Sequence, residues 1–441
     1  MGGAGTKGRH RTGIAMTNAD SLIVLLFTVL SALIAWAVIR LILRTRLTHL
    51  FADTPDHRKA HSDPIPRVGG VAIVAATLAA TIAWHAVSQR SGSASIPNGM
   101  LVSIIVAAVC IGALGFLDDT RFVNIRVRHK LLVTAVLAAL TVFALGVRPG
   151  VISVFGLFTI PELASNLIAV LWIMWLINGY NLIDGLDGFA GTVSTLSLLG
   201  AAAVLYIVGD FQTAALSLFV AGAAAGFMVH NAPPAKVFMG DTGSCFLGYM
   251  IALLTIRAAF DLNGSGKVMA LTPLLAGVPI IEVLTTILRR YVRAGHRGPV
   301  NTFKFIVTAD SFHLHHRFLY RGFSHRDACV LTGILTTTMV CGAVCVAIAQ
   351  HPHLHWVAAY MTLPIAVCLY RLGLGESFRM LMNRPPKVMK FSPEEASRQI
   401  KEAGKTQRKS ERGHFYSDLL IQVGLGLPVF VFLGYLIMTE V

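Results

Sequence analysis

The sequence predicts an all-α polytopic integral membrane protein of about 11–12 transmembrane helices, with its polar loops gathered on one face. Three observations carry this. Hydrophobic residues make up 55% of the 441 residues, and the mean hydropathy is +0.67. Charged residues make up only 13%, about half the share of a soluble domain. The apolar runs are continuous over roughly 20 residues instead of alternating, which suits membrane helices and argues against a β-barrel.

In chain order the spanning candidates lie near 21–43, 68–88, 99–117, 131–147, 163–181, 191–209, 212–230, 244–260, 268–288, 328–349, 354–370 and 418–438. The run 151–160 is too short to span and is expected at the interface. The first run is too long for a cleavable signal and lacks a cleavage site, so it reads as a span. The organisation that follows is an N-terminal tail (1–20), a transmembrane domain with its loops (21–370), a charged linker (371–417) and an additional transmembrane helix (418–441). No internal repeat is visible. The six cysteines form no CxxC pair and read as apolar packing residues.

Positive charge sets the orientation. If the first span runs inward, the segments 44–67, 118–130, 178–190, 231–243, 289–327 and 371–417 are cytoplasmic and hold 29 of the 37 Lys and Arg. The opposing loops hold Arg90, Arg148 and Lys267. The tail residues Lys7, Arg9 and Arg11 run against the rule, and Met16 offers an alternative start. The net charge of +15 is mostly this topology signal, and it also favours anionic lipids and substrates at the inner face. No soluble basic domain exists to bind nucleic acid.

The polar loops on that face carry the chemistry. Asp118 and Asp119 end an apolar helix, the wrong pole for negative charge, so a metal or the nearby Arg126, Arg128 and Lys130 should compensate them; simple solvation is the bland alternative. In NGYNLIDGLDG, Asn178, Asn181, Asp184 and Asp187 recur every third residue. On a helix each such step turns the side chain back about 60°, so neighbours share a face. Gly185 and Gly188 suggest that the helix breaks there. A bare turn needs two or three Asn, Asp or Gly residues, not seven in eleven, and mixed Asn and Asp oxygens suit Mg²⁺. In FMGDTGS, Asp241 stands between glycines at a helix start, where it could cap the helix, ligate a metal or do both. His313, His315, His316 and Arg317 suit phosphate or sugar hydroxyls better than zinc, because no fourth ligand is spaced with them. Arg58, Lys59, His61 and Arg67 form a basic loop stiffened by Pro64 and Pro66, either a topology signal or a phosphate contact. Glu282, within a span near Arg289 and Arg290, is either an ion-pair partner or a cavity residue.

Taken in order, PIPRVGG, FLDD…RHK, NGYNLIDGLDG, VFMGDTGS and HLHHR resemble the motifs of the polyprenyl-phosphate N-acetylhexosamine-1-phosphate transferase superfamily, glycosyltransferase family 4, over about residues 53–327. Leu314 and Arg317 make the last motif similar to the WecA-like and TagO-like branch, which uses UDP-N-acetylglucosamine (UDP-GlcNAc). The branch that uses UDP-MurNAc-pentapeptide carries three consecutive histidines there. The resemblance implies Mg²⁺-dependent transfer of GlcNAc-1-phosphate from UDP-GlcNAc to undecaprenyl phosphate, releasing UMP, at the cytoplasmic face of a bacterial inner membrane. Mn²⁺ is the alternative ion, and a homodimer is an allowed assembly. It further implies Asp118, Asp119, Asp184 and Asp241 as catalytic residues and Asn181 and Asp241 as metal ligands. Lys130, Asn178, Asp187, His313, His315, His316 and Arg317 are implied in substrate binding, with Asp187 near uracil. The alternatives are another UDP-N-acetylhexosamine, UDP-MurNAc-pentapeptide, or a transporter or flippase; the last would need polar residues at mid-membrane and broken helices in paired halves.

Overall fold

The computed structural model describes residues 18–45, 48, 52–53, 64–91, 95–119, 125–149, 152–154, 158–261, 267–294, 313, 318–319 and 323–348. The expected helices at 354–370 and 418–438, the 371–417 linker, and Arg58, Lys59, His61, His315, His316 and Arg317 lie outside them.

Among the described residues most of the long apolar runs are helical. The helices among the described residues are α1 (Asn18–Leu43), α2 (Gly69–Ser91), α3 (Asn98–Asp119), α4 (Val127–Ala139), α5 (Glu162–Ile183), α6 (Phe189–Ile207), α7 (Phe211–Asn231), α8 (Gly240–Asp261), α9 (Lys267–Leu275), α10 (Gly277–Ala294) and α11 (His325–Ile348). Among the described residues seven of them, α1, α2, α3, α5, α6, α7 and α11, are long and apolar enough to cross a membrane. The chain is an all-α polytopic membrane protein.

Three elements take a form that the sequence reading did not specify. Within the run 151–160, strand β1 (Ile152–Val154) pairs antiparallel with strand β2 (Phe158–Ile160). The span at 131–147 is α4 continued by a π-helical turn at Leu140–Ala144, so it is not one α-helix. The run 268–288 splits into α9 and α10 around Ala276, where Pro273, Gly277 and Pro279 each work against a continuous helix.

Helix α8 is the axis of the bundle. Phe246, Leu247 and every residue from Tyr249 to Leu254 are fully buried between its neighbours. Its polar groups pair across helices, as a membrane interior demands: the Tyr249 hydroxyl donates to Ser103 O and meets Thr141 Oγ1, and Trp172 Nε1 donates to Thr255 Oγ1 at 2.9 Å. The outer helices show Leu to lipid instead, as at Leu22, Leu25, Leu26 and Leu33 of α1.

Glycine permits the closest approach. A methyl group on Gly70, at the start of α2, would run into the Gly243 backbone in the first turn of α8. Helix α2 thereby lies directly against the α8 N-terminus.

At the opposite end of the bundle, Asp210 caps α7 by accepting from Thr213 N and Thr213 Oγ1, and Arg257 Nε of α8 donates to its Oδ2 at 2.6 Å. Removing one partner of a buried pair leaves the other charge uncompensated, at a cost of about 3 kcal/mol. Arg257→Ala should therefore lower the apparent Tm in detergent while leaving the polar groups at the other end of α8 in place.

Candidate active site

The ends of α3 and α5 and the starts of α2, α4 and α8 meet at one end of the bundle, and each brings part of a charged cluster. Lys130, in the first turn of α4, donates from Nζ to Asp118 Oδ2 at 2.7 Å and to Asp241 Oδ2 at 2.5 Å. Asn181, in the last turn of α5, donates from Nδ2 to Asp241 Oδ1 at 3.0 Å and to Ser244 Oγ at 3.2 Å. Asp118, Lys130, Asn181 and Asp241 therefore share one site, although 123 positions separate the first from the last. Burial alone would lower the Lys130 pKa, but the carboxylates of Asp241 and Asp118 more than offset it and hold the ammonium above its ordinary range.

The two carboxylates of the acidic pair have different partners. Asp118 is partly exposed, at 24% of its side chain, and faces Lys130. Asp119 is 1% exposed. Its Oδ1 accepts from Asp241 N and its Oδ2 from Thr242 N and Thr242 Oγ1, at 3.1–3.2 Å. A carboxylate from α3 thus caps α8 from outside and satisfies amides that the helix start leaves open. Gly240, with φ +73°, completes this turn, and a methyl group there would lie 2.6 Å from Asp119 Oδ2.

Arg67 joins the site through backbone pairing. Gly69 N donates to Phe238 O, Gly70 N to Met239 O and Phe238 N to Pro66 O, so PIPRVGG runs beside the segment that leads into α8. That holds Arg67 Nη1 3.9 Å from Asp119 Oδ1. From sequence Arg67 is open between a topology charge and a phosphate contact, and the structure brings it to the edge of the site.

Helix α5 ends at Ile183, and Asp184 leaves helical geometry at ψ 65°. The expected break is therefore present, one residue ahead of Gly185. Burial, then the charges of Asp241 and Asp119, push the Asp184 pKa up to about 7. The sign of its effect on stability follows. Between the model-peptide value of 3.8 and about 7 the folded chain keeps a proton that the unfolded chain releases, so stability falls as pH rises through that window. The wild-type apparent Tm, measured without added metal, should drop between pH 5 and 7.5 by more than that of Asp184→Asn.

The other described motif residues, Asn178, Asp187 and His313, each have partners of their own. Asn178 Nδ2 donates back to Met174 O of its own helix at 2.7 Å. Asp187 Oδ2 accepts from Ala235 N at 3.1 Å and lies 3.2 Å from His325 Nδ1. The neighbouring Gly188 N donates to Asn231 Oδ1, so the loop after α5 is stitched to the loop before α8 and to the start of α11. His313 Nδ1 lies 2.8 Å from Glu282 Oε1.

Among the described residues no three His, Cys, Asp or Glu are arranged to hold a metal by themselves. Lys130 Nζ meets carboxylate oxygens of Asp118 and Asp241, and the Asn181 side-chain amide adjoins Asp241, so the groups at hand carry hard oxygen donors. Mg²⁺ uses one or two carboxylates and takes its other ligands from water and phosphate, so this donor set fits such an ion better than zinc.

The profile of glycosyl transferase family 4 matches residues 101–259, which hold every member of the cluster but Arg67. The chain is 32% identical over 282 residues to a Bacillus subtilis protein named "Probable undecaprenyl-phosphate N-acetylglucosaminyl 1-phosphate transferase", covering 62% of this chain and 71% of the relative. It is 30% identical over 314 residues to a decaprenyl-phosphate N-acetylglucosaminephosphotransferase of Mycobacterium leprae, covering 66% and 75%. A phospho-N-acetylmuramoyl-pentapeptide-transferase of Chloroherpeton thalassium is more distant, 26% identical over 318 residues and covering 65% and 80%.

Proposed function

We infer the reaction from one premise: the chain belongs to glycosyl transferase family 4. It is a phosphotransferase that moves N-acetylglucosamine-1-phosphate from UDP-GlcNAc to undecaprenyl phosphate, giving undecaprenyl-diphospho-GlcNAc and UMP, and so starts a cell-envelope polysaccharide. The observation that carries this reading is the meeting of Asp118, Lys130, Asn181 and Asp241 at one end of a membrane bundle. A lipid phosphate held in the bilayer and a nucleotide arriving from water must meet at such an end. The excess of Lys and Arg in the loops supports placing that end in the cytoplasm, in a bacterial inner membrane.

In the step itself an oxygen of the lipid phosphate attacks the sugar-linked phosphorus, a new P–O bond forms, and the bond to the UMP phosphate breaks. A phosphate monoester near pH 7 is already largely ionised, so direct in-line attack needs no strong base. Asp118, the exposed member of the acidic pair, orients the attacking phosphate. Lys130 brings positive charge to the diphosphate. Asp241 and Asn181 would hold Mg²⁺, with Mn²⁺ as the alternative. When bound, the ion supplies charge neutralisation to the diphosphate and to the charge that develops on the leaving UMP.

Purified protein in detergent, given UDP-GlcNAc, undecaprenyl phosphate and Mg²⁺, should release UMP and should exchange labelled UMP in reverse. If it does neither beside a working control enzyme, the reading is wrong. A panel including UDP-N-acetylgalactosamine and UDP-MurNAc-pentapeptide tests the donor.

A further inference from the structure

Helix α10 is amphipathic in the inverted sense. Leu284, Ile287, Leu288 and Tyr291 are exposed, while Glu282, Thr286 and Arg289 are each 2% exposed on the inward side. Ionised groups are kept inside a membrane bundle at a cost, which favours function as the reason. Here they form a chain: Arg289 Nη2 donates to Thr286 Oγ1 at 3.4 Å, Thr286 Oγ1 donates to Glu282 Oε1 at 3.2 Å, and the same Oε1 meets His313 Nδ1 at 2.8 Å. Pro279 and Val283, on either side of Glu282 in sequence, pack against Gly179 of α5, between Asn178 and Asn181. The chain of contacts therefore stands beside the helix that carries Asn181 into the charged cluster. After the motif, the ring of Phe318 is fully buried, 6.1 Å from that of Phe189.

We propose that Glu282 is a positioning residue for the transfer reaction, holding the His313 ring through Nδ1 so that its Nε2 is presented to the sugar-diphosphate in one tautomer and one orientation. The physics is that of a carboxylate behind a working imidazole. Such a partner fixes which nitrogen carries the proton and locks the ring plane. Arg289, through Thr286, keeps a positive charge near the Glu282 carboxylate. The proposal rests on the phosphotransferase reading above only for what the ring meets, not for the Glu282–His313 pair.

The test has two arms. In protein labelled with ¹⁵N-histidine, with the His313 signals assigned by difference against His313→Asn, the wild-type ring should be protonated at Nδ1, and Glu282→Gln should change its tautomer. This arm needs no turnover, so it decides the pairing even if no UDP-sugar proves to be a donor. An unchanged His313 signal in Glu282→Gln would overturn the proposal. In the kinetic arm Glu282→Gln should lower kcat/KM by about 10- to 100-fold. Glu282→Asp should recover most of that loss, and Glu282→Gln should cost nothing further on a His313→Ala background. Additive losses in the double variant would show that Glu282 acts elsewhere and would overturn the proposal. A wild-type enzyme that fails to transfer would instead count against the proposed reaction.

Discussion

Asp241→Ala should lower turnover by about three orders of magnitude while leaving the protein folded. The size of the effect follows from what the carboxylate holds. Its Oδ2 takes Lys130 Nζ and its Oδ1 takes Asn181 Nδ2, so one side chain ties the start of α8 to the start of α4 and the end of α5. Without it, Lys130 keeps only the Asp118 partner in this cluster, Asn181 loses an acceptor, and the proposed ion loses its anionic ligand. Losing one preorganised electrostatic group at a phosphoryl-type centre costs about 10²–10³ in kcat, and here charge and geometry are lost together. Folding should survive because the α8 cap runs through the Asp241 backbone N–H, which alanine retains. Asp241→Asn separates the two contributions: it preserves shape but not charge, so a rate close to that of Asp241→Ala would assign the effect to charge. Labelled-UMP exchange gives the rate, and a detergent melt reports the fold. Near-normal exchange in Asp241→Ala would remove Asp241 from the machinery altogether.

Much of this site was legible in the sequence because membrane helices report themselves. A long apolar run must be a helix where lipid offers no hydrogen bonds, and the Lys and Arg bias orients it. Once α3, α5 and α8 were placed, their polar ends had to fall on one side, and Asp118, Asn181 and Asp241 do meet there. What the sequence withheld are contacts decided by side-chain direction. Nothing in two adjacent aspartates says that one faces Lys130 and the other turns inward to cap a helix 122 positions away. Asn178 shares its motif and its three-residue spacing with Asn181, yet its amide bonds back to Met174 O. From sequence Glu282 could be an ion-pair partner of Arg289 or Arg290 or a cavity residue; its buried carboxylate meets His313, 31 positions on, a contact that no spacing announces. The break at Ala276 is a different case: Pro273, Gly277 and Pro279 stood in the run, and apolarity outweighed them in the reading.

The adjacent carboxylates of Asp118 and Asp119 should part company under the same conservative substitution. Asp118→Asn should cost about 10²–10³ in kcat, and Asp119→Asn no more than about 10-fold. The reasoning starts from what each carboxylate does. Asp118 acts through its negative charge on Lys130, which it holds where the incoming phosphate must be met, and an amide supplies no such charge. Asp119 acts chiefly as an acceptor for Asp241 N and for Thr242 N and Oγ1. An asparagine is nearly as good a helix cap as an aspartate, and its carbonyl can take one of the two backbone donors. Asp119→Ala removes every acceptor. It should cost about 1–3 kcal/mol of stability, the price of leaving buried donors unpaired, and should also misplace Asp241 and so depress kcat well below the asparagine variant. The pattern to look for is therefore Asn tolerated and Ala not at 119, against Asn and Ala equally poor at 118. Equal losses for the two asparagine variants would mean that the buried carboxylate contributes charge to the chemistry itself, and that capping α8 is only part of its work.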